Sequence, residues 1–318
     1  MLIFIIFYRS YVIRILSLVF ATNFQSCSLH RTIIGFGCKI NQYNSKFKLT
    51  LCCIFTIQKS YINKYLCLIK KKIFLRYFIK FSYNGTNYHG WQSQPNAHSV
   101  QETLGKALSI VLHSEVSLMG AGRTDTGVHA KEMFAHFDLE TTIDSLKTIH
   151  QLNSYLPSDI AIFDIIRVNN DTHARFDATK RTYEYHIHSF KNVFLEQQSW
   201  YYKKELDVTL MNAAASILLE HEDFQCFSKV NTEVSTFNCK IFEAFWQKEN
   251  NQYVFTISAN RFLRNMVRAI VGTLIKVGLH QITLTEFNAI IESKSRSEAG
   301  FSVPAHGLYL TKIEYDYL

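Results

Sequence analysis

Between two apolar stretches, Gly120 to Ala130 gathers three glycines, an arginine, two threonines and a single carboxylate. Glycine admits positive φ and lets another group approach the backbone closely. The run therefore reads as a tight loop between strands that presents Arg123 and Asp125. A carboxylate so placed can serve as a nucleophile or a base, with a cation beside it. The plainer alternative is a turn carrying a solvated ion pair, which would be preferred for an isolated Arg-x-Asp. The flanking glycines favour a site.

Other groupings offer less. His129 and His136 lie near Asp125 and Asp138, but neither the spacing nor a third ligand makes a metal centre, so both read as structural. Cys226 and Cys239 fit no zinc or redox spacing and read as buried thiols. Arg264 and Arg268 fall in an amphipathic run, Phe262 to Val277, where an i, i+4 spacing would put them on one helix face. Taken alone, Arg268 reads as a surface arginine whose stem lies along the helix. Lys180, Arg181, Arg261, Arg264, Arg268 and Lys276 cluster with Tyr183 and Phe262 interleaved. Such local patches hold phosphates.

Local clustering matters because the total charge misleads. The 318-residue chain has a formal net charge of +8. Residues 1–75 hold eleven Lys or Arg and no acid, which leaves 23 basic against 26 acidic residues in 76–318. The total is therefore no argument for nucleic-acid binding. Five of the seven cysteines (Cys27, Cys38, Cys52, Cys53 and Cys67) fall in the same basic segment. The two that remain suit a reducing, cytoplasmic compartment.

Residues 1–75 show neither a helical nor a strand period. Arg9 and Arg14 interrupt the apolar start, so no uncharged stretch reaches the roughly 20 residues of a membrane span. Charge within the apolar run also argues against a secretory signal. The lack of acids fits an organelle leader, but not the usual Arg- and Ser-rich amphipathic form. The composition matches a translated AT-rich non-coding stretch, and no methionine occurs between Met1 and Met119. The functional protein is expected to begin near Leu75 or Arg76.

The elements that must position the loop can be read in order. Arg76 to Tyr83 alternates as a strand, and Ser99-Val100-Gln101-Glu102 is a capping-box signature opening a helix. Glu115 to Met119 and Met133 to Asp138 are the strands entering and leaving the loop. Ile160 to Val168 and Thr182 to His188 read as strands, Leu210 to Leu219 as a helix, and Ile241 to Trp246 with Tyr253 to Ser258 as a hairpin. Phe262 to Val277 is a strong helix, Thr283 starts another, and Leu308 to Tyr315 closes the chain as a strand. The mixture predicts an α+β fold, a mostly antiparallel sheet flanked by helices. Two halves, 76–178 with the Asp loop and 179–318, would follow the 1–75 extension.

The loop Gly122-Arg123-Thr124-Asp125-Thr126-Gly127-Val128-His129 resembles the central motif of the tRNA pseudouridine synthase A family. Tyr83-Asn84-Gly85, His89-Gly90-Trp91-Gln92 and Ser99-Val100-Gln101 resemble its N-terminal signatures. His173-Ala174-Arg175-Phe176 through Tyr185 resembles the segment with its active-site tyrosine, and Phe262 to Gly272 with Gly307 to Leu310 resemble its C-terminal motifs. The resemblance runs in order through 76–318 and covers nothing before residue 75. Thr126 stands where alanine is common in the family, and Arg181-Thr182-Tyr183 where many members have Arg-Arg-Tyr.

The resemblance implies two related ferredoxin-like halves with a cleft between them. It also implies isomerisation of uridine to pseudouridine at nucleotide positions 38, 39 and 40 of the tRNA anticodon stem-loop. The reaction breaks the C1′–N1 bond and rejoins the base through C5, so neither cofactor nor metal is expected. Asp125 would act on the sugar, as nucleophile at C1′ or as base toward the 2′ proton. Arg268 would be its partner, with Arg264 beside it. Tyr183 would stack on the flipped uracil, and its hydroxyl could take the C5 proton. Leu308 would wall the base, and Arg123 would handle the displaced nucleotide. The family acts as a homodimer on tRNA, and no membrane partner is implied. A pseudouridine synthase with other RNA targets, and a non-catalytic RNA-binding protein of the same fold, remain alternatives.

Overall fold

The computed structural model describes residues 74–229 and 235–318. The readings made for the first 75 residues, up to Ile73, lie outside that range. In the first strand, β1 (Leu75–Tyr83), the expected face of Tyr77, Ile79, Phe81 and Tyr83 is buried, and Phe78 on the other face is buried too. β1 is an interior strand, covered on both sides where Phe78 sits.

The remaining strands are β2 (Met119–Gly120), β3 (His129–Leu139), β4 (Ile160–Arg167), β5 (Lys180–His188), β6 (Trp200–Tyr201), β7 (Ile241–Glu249), β8 (Gln252–Ala259) and β9 (Leu308–Glu314). They form one sheet in the order β4-β1-β3-β9-β5-β8-β7, with β2 on β3 and β6 on β5. Pairing is antiparallel except between β3 and β9 and between β5 and β6. The last strand of the chain thus lies at the centre of the sheet. It pairs His129 and Ala130 of β3 with Tyr309 and Leu310, and on its other edge Leu310 faces Tyr183 of β5.

Five α-helices among the described residues flank the sheet: α1 (Val100–Val111), α2 (Ser145–Tyr155), α3 (Val208–Ile217), α4 (Met266–Gly278) and α5 (Leu284–Glu292). Ser99 caps α1 by accepting from the Glu102 backbone N–H, as its spacing predicts, but the Glu102 carboxylate turns instead to Lys106. The reciprocal box forms at Thr283 and Glu286. α4 is the most deeply sunk helix. Ile270, Val271 and Leu274 pack with Tyr185, Phe255 and Ile257 in one hydrophobic cluster. A second cluster gathers Phe78, Phe81, Leu104, Leu108 and Phe137. Each such fully buried side chain contributes about 1.5–3 kcal/mol, so both clusters hold their strands firmly. Tyr183 packs against both.

Two boundaries and one helix differ from expectation. The strand before the loop shrinks to Met119–Gly120. α2 carries few apolar residues and buries only Thr148 and Leu152, so its stripe is too thin to read as a helix. α4 begins at Met266 rather than Phe262. Asn265 takes a left-handed φ of +68°, a conformation Asn tolerates, and its amide donates to the Ser302 hydroxyl. Arg264 is therefore not on the helix with Arg268.

Candidate active site

β2 ends at Gly120 and β3 begins at His129, so residues 121–128 form the Asp loop. Its shape is set from outside by the Tyr88 to Trp91 segment. Gly90 has φ +85°, and a Cβ there would sit 2.3 Å from the Thr124 carbonyl oxygen. The Trp91 N–H donates to that carbonyl, and the Gly127 N–H donates to the Tyr88 carbonyl. A Cβ on Gly120 would meet the Trp91 indole at 2.4 Å, and Gly127 needs its φ of +77°. Gly122 differs, since a Cβ there would meet open space. The Tyr83 phenol and Thr124 hydroxyl share a 2.8 Å hydrogen bond. Asp125 is held by a loop with little freedom.

The loop's exit is pinned by His129. Its Nδ1 accepts from the Gly85 N–H, and its Nε2–H points at the carbonyls of Gln197 and His306. This is one neutral tautomer, and burial keeps it neutral by pushing the pKa down. His136 likewise accepts the Ala174 N–H, with burial pushing it down to about 4. Both histidines are bound up in backbone contacts, and no three His, Cys, Asp or Glu side chains among the described residues are grouped to hold a metal ion. Cys226 and Cys239 are buried, which pushes their thiols up to about 12 and about 11. Nor is any described helix long and apolar enough to cross a membrane.

Arg268 reaches Asp125 from the first turn of α4. Its Nη1 lies 3.3 Å from Asp125 Oδ2, while its Nε donates to the Val303 carbonyl at 2.7 Å. That second bond fixes the guanidinium before any ligand arrives. Arg264, from the turn before α4, brings its Nε to 3.9 Å from Asp125 Oδ1 and stays 61% exposed. Two guanidiniums thus face one carboxylate, although only one is on the helix.

Tyr183 lies on β5 beside Leu310, its ring packed edge-on to Phe262 with centroids 5.1 Å apart. Burial pushes its phenol up to about 12, with Arg181 opposing and Asp125 adding to the shift. It is protonated at neutral pH. Leu308 opens β9 and is buried. A cleft of about 2080 Å³ takes in Arg123, Asp125, Tyr183, Arg264, Arg268 and Leu308 together. Arg123 is exposed there and makes no hydrogen bond or ion pair among the described residues.

The basic cluster divides in the folded chain. Lys180 pairs with Glu243 and lies near Glu314. Arg181 has its guanidinium on four backbone carbonyls: Ala178 at 3.1 Å, Asn260 at 2.7 Å, Ala121 at 3.0 Å and Arg175 at 2.7 Å. These oxygens come from the Asp loop, the 173–178 turn and the end of β8. Arg181 ties three cleft-lining segments to the strand that carries Tyr183. Its charge in a basic run signals phosphate binding, and nothing local in the sequence reveals this second use. Gly90 and Trp91 stood out in the sequence by motif alone, and the fold makes them the bed of the loop.

Known proteins match this chain both by family model and by pairwise identity. Residues 214–316 match the family model described as tRNA pseudouridine synthase. The chain is 50% identical over 243 residues to tRNA pseudouridine synthase A of Bacteroides thetaiotaomicron, covering 76% of this chain and 90% of that protein. The protein of the same name from Porphyromonas gingivalis is 50% identical over 244 residues, 76% of this chain and 97% of its own length. That of Thermoanaerobacter pseudethanolicus is 41% identical over 239 residues, 74% of this chain and 98% of its own.

Proposed function

The chain belongs to the tRNA pseudouridine synthase A family, and from that premise we propose that it is an isomerase converting uridine to pseudouridine at positions 38, 39 and 40 of the tRNA anticodon stem-loop. The observation that carries the reading is one carboxylate, Asp125, facing Arg268 in a cleft that also holds the Tyr183 ring.

The chemistry asks for a carboxylate at the ribose. Asp125 either attacks C1′ as the C1′–N1 bond breaks or removes the 2′ proton to expel the base. The freed uracil turns and C5 bonds to C1′, which displaces the Asp125 carboxylate from its ester or, on the elimination route, returns the 2′ proton from Asp125 to C2′; the C5 proton then leaves and N1 gains one. The sequence is redox-neutral and transfers nothing to a second molecule, so the proposal includes no cofactor. Arg268 sets its guanidinium against Asp125 Oδ2 as a countercharge beside the carboxylate. Arg264 adds a second cation near the departing charge.

A stem uridine must leave its stack, at a cost of roughly a few kcal/mol. Stacking on the Tyr183 face returns about 1–3 kcal/mol. A phenol at about 12 is protonated at neutral pH, so its hydroxyl takes the C5 proton only by passing its own proton on. Leu308 walls the base. Arg123, exposed at the loop tip, handles the displaced nucleotide or its phosphate. Residues 76–178 and 179–318 act as two halves of one catalytic body, working as a cytoplasmic homodimer.

Release of tritium from tRNA labelled at uridine C5 tests the reading. The wild type is expected to release it, and Asp125→Ala to bind tRNA but release none. Retained release by Asp125→Ala would overturn the assignment. Mapping pseudouridine in tRNA from a deletion strain tests the positions, and unchanged nucleotides 38 to 40 would move the substrate elsewhere.

A further inference from the structure

We propose that Arg175 and Phe176 form a nucleobase-stacking platform at the cleft, which takes a tRNA base other than the uridine that reacts. The inference rests on the reading of the chain as acting on RNA.

Phe176 is 74% exposed, and among the described residues it is the one exposed large apolar side chain that lines the cleft. A phenyl ring so bare, set in the wall of the cleft, adds little to the core. It is also held still. The His173 N–H donates to the Asp177 carboxylate at 2.7 Å, and the Asp177 N–H donates back to the His173 carbonyl. The N–H groups of Arg175 and Phe176 both donate to His173 Nδ1, at 3.1 and 3.3 Å. The Ala174 N–H goes to His136, and its carbonyl accepts from the Tyr315 phenol. Arg181 holds the carbonyls of Arg175 and Ala178. The N–H groups of residues 173–177 and the carbonyls of His173, Ala174, Arg175 and Ala178 are all bound, and the turn offers the cleft the side chains of Arg175 and Phe176.

Those side chains are of the kind that takes a base. The His173 ring packs on Phe176 with centroids 4.3 Å apart, and the Arg175 guanidinium lies 5.7 Å from the Phe176 centroid. An aromatic face beside a guanidinium stacks any nucleobase without reading its edge and holds the adjoining phosphate. The ring is prearranged, so little ordering cost falls on binding. Tyr183 differs: it is half-buried and packed edge-on to Phe262, a place for the single flipped uracil.

The test uses the full chain with unmodified and C5-tritiated tRNA. Phe176→Ala is expected to weaken tRNA binding by about 5-fold or more, the effect of losing one base–aromatic stack. The rate at saturating enzyme should stay within about 2-fold, and the thermal midpoint should not move. Phe176→Trp should restore binding and Phe176→Leu should not. The salt dependence of binding should be unchanged in Phe176→Ala and should lose about one unit of slope in Arg175→Met. Wild-type binding by Phe176→Ala, or equal rescue by Leu and Trp, overturns the platform. If the wild type releases no tritium while Phe176→Ala still weakens tRNA binding, the activity reading fails and the platform stands. If the wild type releases tritium and Phe176→Ala binds as it does, the platform alone fails.

Discussion

Two carboxylate–guanidinium pairs flank β3, and they are built differently. Asp138 on β3 sits directly opposite Arg76 on β1, and the fork closes on both oxygens at 2.8 and 2.7 Å. The remaining arm of Arg76 donates to the Thr172 carbonyl. Asp125 and Arg268 meet through one 3.3 Å contact, and among the described residues the other oxygen has only Arg264 at 3.9 Å. The first pair is saturated, with geometry set by strand register. The second is held apart by outside contacts, Val303 on the arginine and Tyr88 to Trp91 on the loop. A carboxylate left partly unsatisfied but firmly placed is what a reacting group needs; a saturated one can only hold structure.

The largest effect expected from this contrast is in catalysis. Asp125→Asn should lower the tritium-release rate by about a thousand-fold, within the range that positioned acid–base groups supply. Asp138→Asn should leave that rate within about 2-fold. Comparable losses in both variants would erase the distinction.

Arg268→Lys comes next. It keeps the charge but cannot hold Val303 and Asp125 together, so the rate should fall about 10- to 100-fold with tRNA affinity little changed. Arg76→Lys should spare the rate. An Arg268→Lys enzyme of full activity would show that the point charge suffices.

Arg181→Met probes the frame rather than the pair. Four carbonyls lose their donor, and about 2–3 kcal/mol of stability should go with them. For a body of this size the thermal midpoint should drop by about 5–10 °C. Unchanged tRNA salt dependence would confirm that this arginine does not spend its charge on phosphate.

The smallest effect is in acid. The Arg76 hydrogen bond holds Asp138 below the usual carboxylate range, with burial opposing. A depressed carboxylate stabilises the fold above its unfolded pKa of about 3.9, and that contribution is lost as pH falls through the folded value. The pair is partly exposed, so it is worth about 1 kcal/mol after screening. Urea unfolding of wild type and Asp138→Asn should differ by that amount at pH 7 and converge as pH falls below the usual carboxylate range. A difference that persists in acid would show the bonds matter without the charge.

Much of this was legible before the fold. Strong alternation marks β1, β5 and the β7–β8 hairpin, and a full apolar stripe marks α4. The Asp loop announces itself through Gly120 and Gly127, whose neighbours leave no room for a side chain or whose φ is positive. Gly122 drew the same reading without needing it. α2 was missed because a helix with two buried residues has no stripe to find. The i, i+4 spacing places Arg264 with Arg268 only on an unbroken helix, and Asn265 breaks it. Arg181 was read by its charge, whereas its role depends on carbonyls from distant segments.

Turn residues, caps and apolar periods act over a few neighbours, so most local conformations, α2 and the start of α4 aside, follow from the sequence alone. The sequence also carried the family motifs around Asp125, Tyr183 and Arg268. That Asp125 meets Arg268, 143 residues away, and that Tyr183 shares their cleft, follow from the long-range fold. The reason is the central placing of β9 between β3 and β5, a long-range pairing that no local period specifies.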